Sequence, residues 1–336
     1  MHVFLATVAF VLLCMSVGIY ILLDGYELGI GLLSLFDQGK DTRLWVQDIL
    51  SSQWHGRELW LLMAALIMVI AYPAATRMIS AYALYPVLLL VLGLIFRQLL
   101  KQPEAMSDDR SRMRAFGLSS LVSVTALGWL LGIVCGGAEL NMNAAATADA
   151  LPNIPVILLV ILTLAGVCVQ LAAAYLLGFA EAQRRRRLMI FARGFAVVNL
   201  VLASLLVAYV FYQHYHGLAA HHHALLVARV LLLLMAIVMI LDLVFFRVLR
   251  GPRRFFPYLI NLVTLVITGI ALGIGIYPQL IPGVISAARA AASDRALIVI
   301  ITLCGVLLPF ILTYNGIQHM FNIRPDHRTD DKAHNG

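Results

Sequence analysis

Two carboxylates stand where a membrane-spanning segment should carry none. The first apolar run, residues 3–36, contains SVGIYILLDGYELGIGLLSLF, with Asp24 and Glu27 embedded among apolar residues. An ionised carboxylate facing lipid costs about 3 kcal/mol even on lenient insertion scales. The two acids are therefore expected to face a bundle interior, a water file or a partner subunit, where a carboxylate can accept and pass on a proton. A second charged group follows at Trp54-His55-Gly56-Arg57-Glu58-Leu59-Trp60. Imidazole titrates near neutrality, so His55 beside Glu58 is suited to collecting protons. The bland alternatives stay open: the first two acids could end the helix near water, and the second group could be a tryptophan-flanked interfacial anchor in which Arg57 and Glu58 only pair.

The first run must position these acids. Read as one helix at about 1.5 Å per residue it is about 50 Å long, against a hydrocarbon slab of about 30 Å, so it can span and project. At about 100° per residue, Ser16, Tyr20, Asp24, Glu27 and Gly31 share one stripe. Gly18, Gly25 and Gly29 lie about a third of a turn away and would let a second helix approach closely.

With 62% hydrophobic and 12% charged residues and a mean hydropathy of +0.93, the 336-residue chain falls outside the range of soluble globular proteins. The expected class is an all-α polytopic membrane protein with about nine transmembrane helices, arranged as two four-helix units plus a final helix. The spans are drawn at 3–36, 59–78, 80–97, 116–138, 154–181, 192–213, 226–247, 257–277 and 296–320. Tyr72-Pro73 and Tyr85-Pro86 interrupt the second and third, and Arg77 and Ser80 supply the polar break between them. Residues 1–320 read as one helical domain and 321–336 as a short polar cytoplasmic tail, and the first run reads as a retained helix rather than a cleaved leader.

Arginine and lysine cluster after the third, fifth, seventh and ninth helices, at Arg97 to Arg114, Arg184 to Arg193, Arg247 to Arg254, and Arg324 with Lys332. The positive-inside rule then places the amino terminus outside and the carboxyl terminus in the cytoplasm. The formal charge of +7 is concentrated in these connections, which argues topology and not nucleic-acid binding.

Other polar residues are weaker candidates. Glu139, Asn141 and Asn143 follow the fourth helix, where Gly132, Gly136 and Gly137 permit close packing, and suit a polar cap or a ligand site. Asp242 lies inside an apolar run five residues before Arg247, and Gln170 is an interior amide. His214, His216 and His221 to His223 crowd one loop without a carboxylate companion, while His319 ends the last helix beside Gln318, after Tyr314-Asn315. No facing pair of deep histidines suggests a bis-imidazole haem. Cys14, Cys135, Cys168 and Cys304 stand singly in apolar runs and read as small buried residues, with no metal or disulfide motif.

Asp24-Gly25-Tyr26-Glu27-Leu28-Gly29-Ile30-Gly31 resembles the first-helix motif of subunit II of the cytochrome bd quinol oxidases, including the cyanide-insensitive branch; that family usually has Asp at the Glu27 position. Trp54 to Trp60 resembles the family's Trp-Asp-Gly-Asn-Glu-x-Trp motif. Gly275-Ile276-Tyr277-Pro278, Pro282, Ala292-Ser293 and Leu308-Pro309-Phe310-Ile311-Leu312-Thr313-Tyr314 resemble its last two helices. The resemblance runs in order along nearly the whole chain.

It implies a bacterial inner-membrane complex in which a haem-bearing subunit I, with two b-type haems and one d-type haem, oxidises quinol and reduces dioxygen to water. This chain would bind no haem or metal and be inactive alone. It would brace the complex, with room for a bound quinone or lipid and for a small accessory subunit, and supply cytoplasmic protons through Asp24, Glu27, His55 and Glu58. His55 and Arg57 replace the family's Asp and Asn, and Cys135-Gly136-Gly137 stands where a glutamine-glycine pattern is expected. Two alternatives remain at this point: a small-solute or cation transporter using buried acids, and a purely structural assembly subunit.

Overall fold

The computed structural model describes residues 1–36, 39–51, 56–101, 110–136, 153–217, 223–251, 254–281 and 285–322. Helix α1 (His2–Ser34) is followed by a short helix α2 (Lys40–Ser51), then α3 (Glu58–Ala71) and α4 (Pro73–Leu100), α5 (Arg110–Gly136), α6 (Ile154–Leu176), α7 (Ala182–Gly217), α8 (His223–Val248) and α9 (Phe256–Ile276). A small antiparallel hairpin, β1 (Gln279–Ile281) with β2 (Ile285–Ser286), and one turn of helix, α10 (Ala287–Ala290), lead into α11 (Asp294–Asn322). Among the described residues eight helices are long and apolar enough to cross a membrane, and a bent pair supplies a ninth candidate, so the polytopic helical class holds. Neither α2 nor the hairpin was expected: the hairpin strands are too short to show a period, and α2, although amphipathic, is too polar on average to stand out as a span.

Helix α1 is the hub. It packs against α3, α5, α6, α9, α10 and α11, while α4 packs on α5, α7 on α6, and α8 on α9. Without a hydrophobic drive between helices in lipid, such contacts depend on close backbone approach. Gly29 provides it: a Cβ there would overlap the Cys168 carbonyl of α6. Gly31 lies against Ser120 of α5, and a Cβ on Gly132 would stand 2.7 Å from Ile157 Cα at the seam of α5 and α6. A Cβ on Gly18, expected on the same smooth face, would meet no neighbouring element within 4 Å.

The break in the second and third segments falls at Tyr72-Pro73, not at Arg77 and Ser80. Pro73 has no N–H to give and disfavours a helical residue before it, so α3 stops and α4 begins with proline in its first turn. The chain bends by 106° between Glu58–Ala71 and Pro73–Ser80. Ser80 instead continues the helix, its hydroxyl donating to Arg77 O at 2.8 Å, and α4 runs on through Pro86. In lipid a carbonyl freed by a bend needs a donor, and donors gather at this one. Thr76 Oγ1 donates to Met68 O at 2.7 Å and to Tyr72 O at 3.0 Å, and Ala292 N donates to Ala71 O at 2.8 Å. The Tyr72 hydroxyl donates to Ala6 O at 2.6 Å, pinning the bend to the start of α1. Helix α3 thus runs from the level of Asp24 to the level of Ala6, and α4 returns.

The second group of helices has its own polar clamp. Gln170 of α6 donates to Asn261 of α9 at 2.9 Å and accepts from Asn199 of α7 at 2.6 Å, all three buried. Cys135, Cys168 and Cys304 are buried as expected, whereas Cys14 is exposed on the outside of the bundle.

Replacing Gly29 with Ala is expected to force α1 and α6 apart and to cost about 1–3 kcal/mol, the usual price of overpacking. Gly18→Ala, in open space, should stay within about 0.5 kcal/mol of the parent. Thermal unfolding of the two variants in detergent checks the difference.

Candidate functional site

The stripe on α1 determines what the acids meet. Asp24 and Glu27, one turn apart, are both fully buried, and the surrounding elements bring cations to them. Arg57, the residue before α3, is 1% exposed; Arg97, on the last turn of α4, is 0% exposed. Arg97 Nη2 lies 2.5 Å from Asp24 Oδ2, which also accepts a 2.8 Å hydrogen bond from the Tyr20 hydroxyl one turn back on α1. Arg57 pairs with Glu27 through Nη2 and stands 3.6 Å from Asp24 Oδ1 through Nε. Lys101, just past α4, pairs with the other oxygen of Glu27. Arg57 is further fixed by the Leu23 carbonyl and the Tyr26 hydroxyl, both at 3.3 Å.

Glu58 occupies the edge of this cluster. Its side chain is 30% exposed, receives a hydrogen bond from Gln98 and lies 3.9 Å from Arg97. Three acids, Asp24, Glu27 and Glu58, thus meet three cations, Arg57, Arg97 and Lys101, and the formal charges cancel. Cancellation matters because an uncompensated charge at such depth would cost several kcal/mol. Pairing is nevertheless incomplete at the atomic level. Asp24 Oδ1, Arg57 Nε, and Nε and Nη1 of Arg97 have no hydrogen-bond partner among the described residues.

The structure therefore brings together three of the four residues singled out in the sequence, Asp24, Glu27 and Glu58. His55 and Trp54 lie outside the described residues. Arg57 is a central member and not merely a departure from a motif. Arg97 and Lys101, assigned above to topology alone, turn out to be counter-charges of the α1 acids. A signal for them existed: they are spaced by four at the end of an apolar helix, on one face, and two buried acids require cations from somewhere.

The remaining candidates do not join. Asp242 is buried on α8 and makes no ion pair among the described residues. Glu139, Asn141, Asn143, His221 and His222 lie outside the described residues, as do the side chains of His214, His216, His223, Tyr314, Asn315, Gln318 and His319. His2 hydrogen-bonds to Asp294 at 2.5 Å and to Ala288 O at 3.1 Å, tying α1 to α10 and α11. Among the described residues no group of three His, Cys, Asp or Glu side chains could hold a metal ion.

A family model for cytochrome bd terminal oxidase subunit II matches residues 5–321. The chain belongs to that family. It is accordingly an integral-membrane subunit of a haem-containing terminal oxidase complex whose partner is subunit I. Membership favours the oxidase reading over the transporter alternative. The solved structure of bd oxidase from Geobacillus thermodenitrificans shares the fold, with a TM-score of 0.72 over 96% of this chain and 99% of the matched chain at 19% identity. No curated protein sequence matches the chain.

Within this subunit II, Arg97→Met should leave Asp24 buried with one cation fewer and destabilise the protein by about 3–5 kcal/mol. Combining it with Asp24→Asn should recover part of that loss, giving a coupling of about 1–3 kcal/mol in a double-mutant cycle read by thermal unfolding. Strict additivity would mean that the pair contributes no net interaction.

Proposed function

We propose that this subunit II carries cytoplasmic protons toward the partner's oxygen-reducing site through the cluster around Asp24, binding no haem itself and supporting a haem-bearing subunit I that oxidises quinol. One observation supports this most: a buried, charge-balanced cluster has one partly exposed acid, Glu58, at its edge and several charged atoms without hydrogen-bond partners among the described residues. Buried polar atoms of this kind are ordinarily completed by internal water, which gives a hydrogen-bonded file from Glu58 past Arg97 to Asp24 and Tyr20.

The roles follow from position. Glu58 takes a proton from the aqueous side. Arg97 and Arg57 hold the carboxylates in place and set the net charge. A proton added to a balanced cluster leaves it positive, which favours release toward an electron-rich neighbour over retention. Tyr20, donating to Asp24, extends the route along α1. His55 belongs to the same proposal by its place two residues before Arg57. In this reading the amino terminus is outside, residues 1–320 form one membrane domain and the tail from 321 is cytoplasmic, so that Lys101 and Glu58 face the cytoplasm. Cysteine-accessibility labelling at residues 105 and 330 should report both on the cytoplasmic side of a bacterial inner membrane.

A specific observation favours a second role. Every acid in the cluster is ion-paired across α1, the start of α3 and the end of α4, as a brace would require. Glu58→Gln separates the two, because Glu58 is partly exposed and its removal leaves the inner pairs intact. In the fully assembled complex E58Q is expected to slow quinol oxidase turnover and proton uptake about tenfold, the effect of about 1.4 kcal/mol on a barrier. The loss should deepen as cytoplasmic pH rises and protons become scarce, with haem content near normal. Unchanged turnover and proton uptake across that range would remove Glu58 from any proton route and leave bracing.

A further inference from the structure

Asp242 is the one buried acid without a counter-charge among the described residues. It is 4% exposed and lies on the buried stripe of α8 formed by Val238, Asp242, Phe245 and Leu249, on a helix that packs against α7 and α9. It takes part in no ion pair or hydrogen bond among the described residues. The charged and titratable side chains nearest to it along these helices, Arg193 of α7, Arg247 of α8 and Tyr258 of α9, do not pair with it. An ionised carboxylate alone in such a place is strongly unfavourable, and a costly residue at membrane depth calls for a role.

The same level of the bundle is polar on every helix around it. Phe245 belongs to a buried cluster with Ala173 of α6, Ala196 of α7 and Ile260 of α9. Helices α6 and α8 run one way and α7 and α9 the other, so one step out of that cluster in a common direction reaches Gln170, Asn199, Asp242 and Asn261. Three of these are the amide clamp, in which Asn199 donates to Gln170 and Gln170 to Asn261. A head-to-tail chain of three amides ends in one unused acceptor and one unused donor. They are Asn199 Oδ1 and Asn261 Nδ2, both buried without a hydrogen-bond partner among the described residues. The acceptor sits over Gly166 of α6, which has no Cβ to obstruct it. The donor belongs to α9, the main neighbour of α8, and a buried N–H left without an acceptor is costly.

A neutral carboxylic acid suits this layer. Its carbonyl oxygen accepts from an amide N–H, directly or through one water, its hydroxyl can donate to a carbonyl of the preceding helical turn, and it adds no net charge. A metal cation does not suit it, because the free end of the clamp is a donor and no second anion is present. We propose that Asp242 is a proton-binding site of the second helical unit, its neutral carboxyl held by Asn261 and its proton exchanged with water at the C-terminal end of α8. Binding joins one proton to a carboxylate oxygen and discharges the site; release returns the proton to water and leaves one negative charge. Asp242 stands six residues before Val248, the last of α8, or about 9 Å along the helix axis. The site shares no residue with the acid cluster and does not rest on the proton role proposed for that cluster.

Infrared difference spectroscopy of the purified, assembled oxidase complex in H2O and D2O at neutral pH tests this. The parent-minus-D242N difference is expected to contain the C=O stretch of a protonated carboxyl, moved to lower frequency on transfer to D2O. Asn replaces a neutral acid with a neutral isostere, so D242N should assemble with the haem content and unfolding temperature of the parent. Asn261→Leu and the smaller Asn261→Ala should keep the band and move it to higher frequency, because a carbonyl that loses a hydrogen bond stiffens. E58Q should leave the band in place, which separates this site from the acid cluster. Absence of a carboxyl band from the parent-minus-D242N difference would overturn the proposal. A band that does not respond to D2O would make Asp242 a sealed structural acid, and a band unmoved in both Asn261 variants would remove Asn261 as its holder; either result overturns the proposal.

Discussion

The cost of burying charge governs this protein. Two carboxylates on one stripe of α1 lie deep in an apolar bundle, and neither could stay ionised there alone. Their presence dictates that Arg57, Arg97 and Lys101 come from other elements to meet them, and that α3 and α4 begin and end at the level of Asp24. The glycines of α1 are the complementary requirement. The helix carrying the charges must be enclosed, and Gly29 and Gly31 let α6 and α5 close over it. A polar stripe and a smooth stripe on one helix thus serve a single end.

The bend at Tyr72-Pro73 is the second consequence of the apolar setting. A helix that turns by 106° frees carbonyls, and lipid offers no donors. Thr76, Tyr72 and the backbone of Ala292 provide the contacts that hold the turn. Because the turn is held at the end of α1 near Ala6, the 28 residues of α4 carry Arg97 back to Asp24. Backbone satisfaction at one end of the bundle therefore decides which cation reaches the acids at the other. The amides of Gln170, Asn199 and Asn261 show the alternative solution, a neutral clamp that needs no counter-charge.

The arrangement also bears on how function and stability divide within the subunit. Asp24 and Glu27 are enclosed and doubly engaged, so changes there disturb packing, electrostatics and any proton traffic together. Glu58 differs, since it is partly exposed and touches the cluster through Gln98 and Arg97. A cluster with a fixed interior and one open member can exchange protons with water without exposing its core. The arginine-lined cleft under α2 lies outside this cluster.

Much of this was written in the sequence. Hydropathy and the spacing of basic connections determined a polytopic helical protein, because lipid permits few other ways to satisfy a backbone. The period of α1 placed Asp24, Glu27 and Tyr20 on one face, and the motifs at residues 24–31 and 54–60 pointed to the family. Tertiary structure alone decided which cations pair with those acids. Arg97 and Lys101 lie about 70 residues or more from Asp24 and Glu27 in the chain, and their spacing by four on one helix face shows a shared direction but not which acids they meet. It also decided the site of the bend. Two prolines and a polar pair were all plausible breaks in the pattern; the chain bends at Tyr72-Pro73, where Ala292 N, from the far end of the chain, donates to Ala71 O. Helix α2 and its cleft were hidden for a related reason: 12 residues at an interface have little hydropathy to announce them, and a cavity is made by the elements that meet around it.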